Sequence, residues 1–135
     1  ANPAGNVHGG FIMKLIDTAA GAAAIKHSRS NCVSASVDRL DFHNPVYIGD
    51  LVTLRAIVTY TGKSSMEVGV RVTAHGNAQL PVRRANTAYL TFVAIDGHGT
   101  PQPVPAVLPE TEDEQRRYKD ALQRREIRLQ RRPHE

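Results

Sequence analysis

Gly5-Asn6-Val7-His8-Gly9-Gly10 runs directly into Phe11-Ile12-Met13-Lys14-Leu15-Ile16-Asp17-Thr18-Ala19-Ala20-Gly21-Ala22-Ala23-Ala24-Ile25-Lys26, and the reading of this stretch decides the fold. Phe11 to Lys26 is rich in strong helix formers, and its apolar residues occupy most of the helical circumference. A helix that is apolar all round is expected to be buried all round. The glycines ahead of it let the backbone turn tightly into the helix with its first amides unpaired. Gly21 costs about 1 kcal/mol relative to Ala inside a helix, so it reads as a helix-helix contact point.

From Cys32 the period changes from helical to alternating. Cys32 to Phe42 reads as a strand closed by His43-Asn44-Pro45, and Leu51 to Tyr60 as a second, with Val52, Leu54, Ala56 and Val58 on one apolar face. Thr61-Gly62-Lys63-Ser64 is a turn into a returning strand whose apolar face is Met66, Val68, Val70 and Val72. A second turn over 76–81 precedes a fourth strand, Ala85 to Ile95. One buried helix followed by an antiparallel meander predicts an α+β fold with the sheet wrapped around a long central helix.

Past Gly99 come Pro101, Pro103, Pro105 and Pro109, an extended linker. Thr111 with Glu114 forms a capping box for a last helix. Its apolar stripe, Tyr118, Leu122 and Leu129, is narrow, which predicts a surface helix. The organisation expected is a single domain over 1–100 and a linker with a charged C-terminal helix over 101–135.

A chain of 135 residues with 41% hydrophobic residues is enough for one core. Cys32 is the one cysteine, so there is no intrachain disulfide and no Cys/His cluster of zinc-binding spacing. No apolar run approaches the roughly 20 residues of a membrane span, and no leader pattern opens the chain. The cytoplasm is the expected location. The net charge of +4 does not argue for nucleic acid. Residues 110–135 hold eight basic and seven acidic side chains, a nearly balanced and solvated pattern rather than a polybasic arm. The remaining excess suits a small phosphorylated ligand.

Asp17 is the residue whose chemistry stands out, since a carboxylate in a buried helix is costly unless paired. Two readings stay open: an ion pair with Lys14 one turn away, or a reactive carboxylate beside small residues that leave room for a ligand. The Gly5 to Gly10 approach suits an oxyanion, because helix N-terminal amides point outward with partial positive charge, and Asn6 adds an amide donor. The same residues also read as ordinary turn formers, and His8 as a loop histidine.

The ordered pattern from Gly5-Asn6-Val7-His8-Gly9-Gly10 through Met13-Lys14-Leu15 and Asp17 to Ala19-Ala20 resembles the hotdog-fold acyl-CoA thioesterases, in the branch of YciA-like and brain-type enzymes. The likeness continues through Asp41-Phe42-His43-Asn44-Pro45-Val46, Gly49-Asp50, Gly62-Lys63-Ser64-Ser65-Met66-Glu67-Val68, Ala88-Tyr89-Leu90-Thr91-Phe92-Val93-Ala94 and Pro109-Glu110-Thr111. It implies hydrolysis of acyl-CoA to fatty acid and coenzyme A without metal or organic cofactor. Asp17 would serve as base or nucleophile, with Asn6 and the Gly10 amide region positioning water and polarising the thioester. The resemblance places Gly62, Lys63, Ser64, Ser65, Arg83, Arg84 and Asn86 around coenzyme A, although Lys63 alone reads as an exposed turn lysine and Arg83-Arg84 as a solvated pair. Gly10 and Asp17 are about 10 Å apart along a helix, too far to share one carbonyl, which predicts a site shared between two subunits. A homodimer would be the smallest active unit, and the resemblance implies three such dimers in a hexamer.

The family usually has a strand ahead of the Asn6 segment, so either that strand is missing from this sequence or the sheet is one strand short. Two rival functions remain: a hydratase or dehydratase using His8 with Asp17, and a non-catalytic acyl-CoA sensor.

Overall fold

The computed structural model describes residues 5–76 and 81–131. Six elements follow in order: α1 (Gly9–Ser28), β1 (Asn31–Phe42), β2 (Leu51–Thr61), β3 (Ser65–His75), β4 (Arg83–Ile95) and α2 (Glu112–Gln130). The strands form one antiparallel sheet in the order β1-β4-β3-β2, four strands among the described residues. Of the turn expected over 76–81, residues 77–80 lie outside the described residues.

The core is built where α1 lies on the inner face of the sheet. Ile12, Ile16, Ala20 and Ala24, one per turn, are buried against Met66, Val68, Val70 and Val72 of β3 and Ala88, Leu90, Phe92 and Ala94 of β4. On β2 the expected apolar face, Val52, Leu54, Ala56 and Val58, packs on the same core. The four-residue spacing on α1 places one narrow stripe toward the sheet. Within one chain α1 is therefore not buried all round. Its other side stays open, with Phe11 54% exposed. Within one chain Gly21 meets the sheet rather than a second helix: a Cβ there would lie 3.6 Å from the Phe92 ring of β4. α1 also runs two residues past Lys26, ending at Arg29 in the left-handed region (φ 53°), a cap with no glycine to announce it.

β1 is an edge strand with register shifts between Ser34 and Ser36 and between Val37 and Arg39. Val37, opposite the buried Leu90, remains exposed on the face that carries α1, and Val33, opposite Val93, is exposed on the other face. The proline-bearing segment is stitched down rather than free. Gln102 N–H donates to Ala94 O (2.9 Å), Val104 N–H to Lys63 O (2.9 Å) and Val107 N–H to Thr61 Oγ1 (2.9 Å).

α2 lies across the outer face of the sheet and forms the capping box at Thr111 and Glu114. Of the expected stripe, Tyr118 packs on the sheet and the two leucines do not. Leu122 and Leu129 are exposed, and the buried position is Ala121. The attachment is ionic and aromatic. Arg124 donates from Nη2 to Oε1 of Glu67 (2.8 Å) and from Nε to Oε2 (3.1 Å), while its guanidinium sits 3.7 Å from the Tyr89 ring centroid. Glu67 is 3% exposed and also accepts from Thr59 Oγ1 (2.6 Å). Arg128 pairs with Asp38 (3.3 Å), which accepts from Thr91 Oγ1 (2.6 Å). Tyr118 packs on Tyr60 with ring centroids 5.6 Å apart. Burial alone would lower the Arg124 pKa, but the hydrogen bonds and charge of Glu67 outweigh it and raise the pKa.

Removing one partner of a buried pair leaves an uncompensated charge. Arg124→Ala should therefore destabilise the fold by roughly 3–5 kcal/mol, whereas Leu122→Ala should cost under about 1 kcal/mol. Urea unfolding at fixed protein concentration compares the two.

Candidate active site

The segment ahead of α1 is anchored to the turn after β1. Val7 N–H donates to Val46 O (2.7 Å), Ile48 N–H to Gly5 O (3.2 Å), and Asn6 faces Tyr47 in an antiparallel bridge. Gly49 makes that turn possible at φ 93°. The pairing carries Asn6 and Gly9 into the wall of a cavity of about 340 Å³, with Phe42, His43, Asn44 and Asn86. Asn86 is 2% exposed, and its Nδ2 has no hydrogen-bond partner among the described residues.

At the helix N-terminus His8 is the N-cap, and its Nδ1 accepts the Gly10 N–H at 3.0 Å. Gly10 thus does not present the unpaired amide that the sequence suggested. Phe11 and Ile12 N–H both donate to His8 O. The N–H of the neighbouring Gly9 makes no hydrogen bond among the described residues. This is a local histidine cap, and nothing in the spacing of glycines distinguishes it from an open turn.

Asp17 is exposed in the single chain, on the open side of α1. Among the described residues it has no ion pair, with Lys14 or any other. It lies two turns along the helix from the Asn6 and Gly9 cavity, so one chain does not bring these groups to one reacting atom. His8 and Asp17 are likewise separated by roughly 13 Å of helix, and they do not form an acid/base pair within the chain.

The residues expected around coenzyme A are also divided. Gly62, Lys63, Ser64 and Ser65 sit at the β2–β3 turn, where Ser65 pairs with Val93. Arg83 and Arg84 open β4 at the far end, where Arg83 pairs with Ala74. The length of β3 separates the two groups by roughly 30–35 Å. Arg83 is moreover engaged, with Nη2 2.6 Å from Asp50 Oδ2 and its guanidinium over the Tyr47 ring. Asp50 also accepts the Tyr47 N–H (2.8 Å), so Arg83 braces the turn that holds Asn6. Asn86 lies with Asn6 rather than with Lys63. Phe42, His43 and Asn44, which carried the resemblance without an assigned role, line that same cavity; the break His43-Asn44-Pro45 was the signal that could have placed them there.

A long helix cradled by an antiparallel sheet, with a glycine-flanked N-terminal cavity and a lone exposed carboxylate, defines a hotdog-fold chain. The sequence pattern of the Thioesterase superfamily matches residues 4–80, and the chain belongs to that family. It is 43% identical over 126 residues to the uncharacterized acyl-CoA thioester hydrolase YkhA of Bacillus subtilis, covering 93% of this chain and 73% of that protein. It is 42% identical over 119 residues to the mouse cytosolic acyl coenzyme A thioester hydrolase, covering 86% of this chain but only 31% of that protein. The chain thus spans about a third of the mammalian relative. Among solved structures, an apo-hexameric acyl-CoA thioesterase superposes with TM-score 0.93 at 40% identity, covering 97% of this chain and 84% of that one. The Staphylococcus aureus acyl-CoA hydrolase, in complex with butyryl coenzyme A, coenzyme A and coenzyme A disulfide, gives 0.91 at 40% identity, covering 97% and 80%. That enzyme has also been solved with an asparagine at its position 28, an aspartate at 43 or a threonine at 60 changed to alanine.

Because Arg83 is tied to Asp50 inside the fold, Arg83→Ala should cost roughly 2–3 kcal/mol of stability. Arg84→Ala, with no ion pair among the described residues, should fall within about 0.5 kcal/mol of wild type. Chemical unfolding of both variants checks the contrast.

Proposed function

We propose that the chain hydrolyses fatty acyl-CoA to the free acid and coenzyme A, in a site completed by a second copy of itself. The observation that carries this reading is the placement of Asp17. Among the described residues it has no ion pair, and it stands on the open side of α1, the side of the sheet on which Ile25 of α1 and Val37 of β1 are also exposed. An apolar surface around a lone carboxylate suits a subunit interface better than open solvent. A second chain covering it would bring its own Asn6 and Gly9 cavity to the thioester held beside Asp17. Water then attacks the carbonyl carbon while Asp17 takes its proton, the amide donors hold the developing oxyanion, and the C–S bond breaks as the thiolate leaves and is protonated. Direct attack by the Asp17 carboxylate, followed by hydrolysis of the anhydride, balances equally. Neither route calls for a metal or an organic cofactor; coenzyme A is part of substrate and product.

The three residues altered in the S. aureus enzyme have a spacing that Asn2, Asp17 and Ser34 repeat in this chain. This supports Asp17 and favours a second asparagine, Asn2, beside Asn6. Asn2 lies outside the described residues. Ser34 is exposed on β1 opposite Phe92, the residue that meets Gly21 one turn beyond Asp17.

The homodimer is proposed as the active unit and a trimer of dimers as the assembly, supported by the hexamer of the apo thioesterase. In it the Gly62–Ser65 turn and Arg84 would reach one coenzyme A from different subunits. A cytosolic location is proposed from the name of the mouse relative; no helix among the described residues is long and apolar enough to cross a membrane.

Asp17→Asn should lower turnover by at least about 100-fold while light scattering shows the oligomer unchanged. Thiol release from a ladder of acyl-CoA lengths is the readout, and substantial retained activity would sink the assignment. Asn2→Ala and Asn6→Ala, measured in parallel, decide which asparagine acts. Tight acyl-CoA binding without thiol release by the wild type would instead favour a sensor.

A further inference from the structure

A second cavity, of about 320 Å³, lies on the opposite side of the sheet from α1, roofed by α2. Arg55 of β2, Arg71 of β3, and Arg116, Arg117 and Arg124 of α2 line it, with Asp120 as the one carboxylate of its wall among the described residues. Arg55 and Arg71 are direct cross-strand partners. Like charges directly opposite each other on a sheet repel, and an oppositely charged residue at either position would be easier to accommodate. Among the described residues neither has an ion pair, nor does Arg117. Arg116 shares only the exposed Asp113 at 3.3 Å, and Arg124 is already committed to Glu67. The cavity therefore concentrates several uncompensated guanidinium groups between a strand pair and a helix.

We propose that this cavity binds a small polyphosphate anion. Guanidinium forks suit phosphate oxygens, and several held around one space give the multidentate recognition that a chain of phosphates offers. The aromatic side of the cavity does not compete as a base-stacking platform. Arg124 stands 3.7 Å from the centre of the Tyr89 ring, so recognition falls on the charge of the ligand rather than on a ring. The roof formed by α2 sets a small anion apart from an extended nucleic acid strand. The phosphates are either those of coenzyme A itself or those of a separate polyphosphate. The binding chemistry is the same for both and does not depend on Asp17 or on the thioesterase reading.

The test uses the whole oligomer and inorganic tripolyphosphate as probe, with binding measured by calorimetry at low salt. Wild type should bind, with affinity falling steeply as salt rises, and Arg71→Glu should lose at least about tenfold. The melting temperature of wild type should rise with tripolyphosphate and that of Arg71→Glu should not. Without anion, Arg71→Ala should melt at or above the wild-type temperature, because it relieves the Arg55–Arg71 repulsion. A lower melting point would mark Arg71 as structural and overturn the proposal, as would wild type that fails to bind or variants that bind equally well. Coenzyme A that competes with tripolyphosphate, and itself binds Arg71→Glu more weakly, identifies the substrate's phosphates as the occupant. Coenzyme A that does neither, while tripolyphosphate still distinguishes wild type from Arg71→Glu, identifies a separate anion.

Discussion

The packing of one α1 stripe against the inner sheet face organises the rest of the molecule. Ile12, Ile16, Ala20 and Ala24 meet a wall of Met66, Val68, Val70, Val72, Leu90 and Phe92. Small residues at 20 and 24 let the helix sit close to the sheet, and the two larger isoleucines fill the end nearer its N-terminus. Because the stripe recurs every fourth residue, its direction is set by helical geometry, and everything else on α1 is placed by default. Asp17, directly after buried Ile16, is rotated by about 100° away from the sheet. The same constraint that builds the core exposes the carboxylate.

The outer face of the sheet follows a different rule. There Glu67 and Asp38 are covered by a helix, and burial is tolerated because Arg124, Arg128, Thr59 and Thr91 supply donors to their carboxylates. Charge partners give such a contact a defined register, since Arg124 must meet Glu67 while Arg128 meets Asp38. Leucine on a flat surface would specify position less sharply. Two layers therefore flank the sheet, one apolar and one ionic.

Residue pattern made the first layer legible and left the second obscure. The strand faces Val52-Leu54-Ala56-Val58 and Met66-Val68-Val70-Val72 and the capping box at Thr111 and Glu114 are local signals, and the structure repeats them. The role of α2 is not local. Its dense, balanced charge looks solvated, and only the position of Glu67 on β3, 57 residues earlier, turns Arg124 into an anchor. The amide environment of the N-terminal cavity was half legible. Glycines and asparagine pointed to the right segment, but the His8 cap on Gly10 depends on one rotamer, and the approach of Asn86 depends on the register of β4 with β1. The exposure of Asp17 in the single chain is not legible, because apolar residues around a helix do not say whether the covering surface belongs to the same chain.

That last distinction bears on how the two faces are related. The open side of α1 carries a carboxylate and exposed apolar surface, a combination that becomes chemically useful once water is excluded and a carbonyl is held nearby. The outer face carries guanidinium groups in a half-open cavity beneath α2, which suits anionic charge without excluding water. A fatty acyl-CoA has both characters, an apolar chain at one end and the phosphates of coenzyme A at the other. The sheet between the two faces keeps them apart within one chain, so a single substrate molecule cannot use both faces of the same subunit unless it passes around an edge strand. β1 and β2 are those edges among the described residues. β1 leaves Val37 exposed on the α1 side, whereas β2 is the edge that α2 and Arg55 overhang. The difference in character lies between the two faces, with the exposed Asp17 on the α1 side and the arginine-lined cavity on the other, and it is present in the single chain.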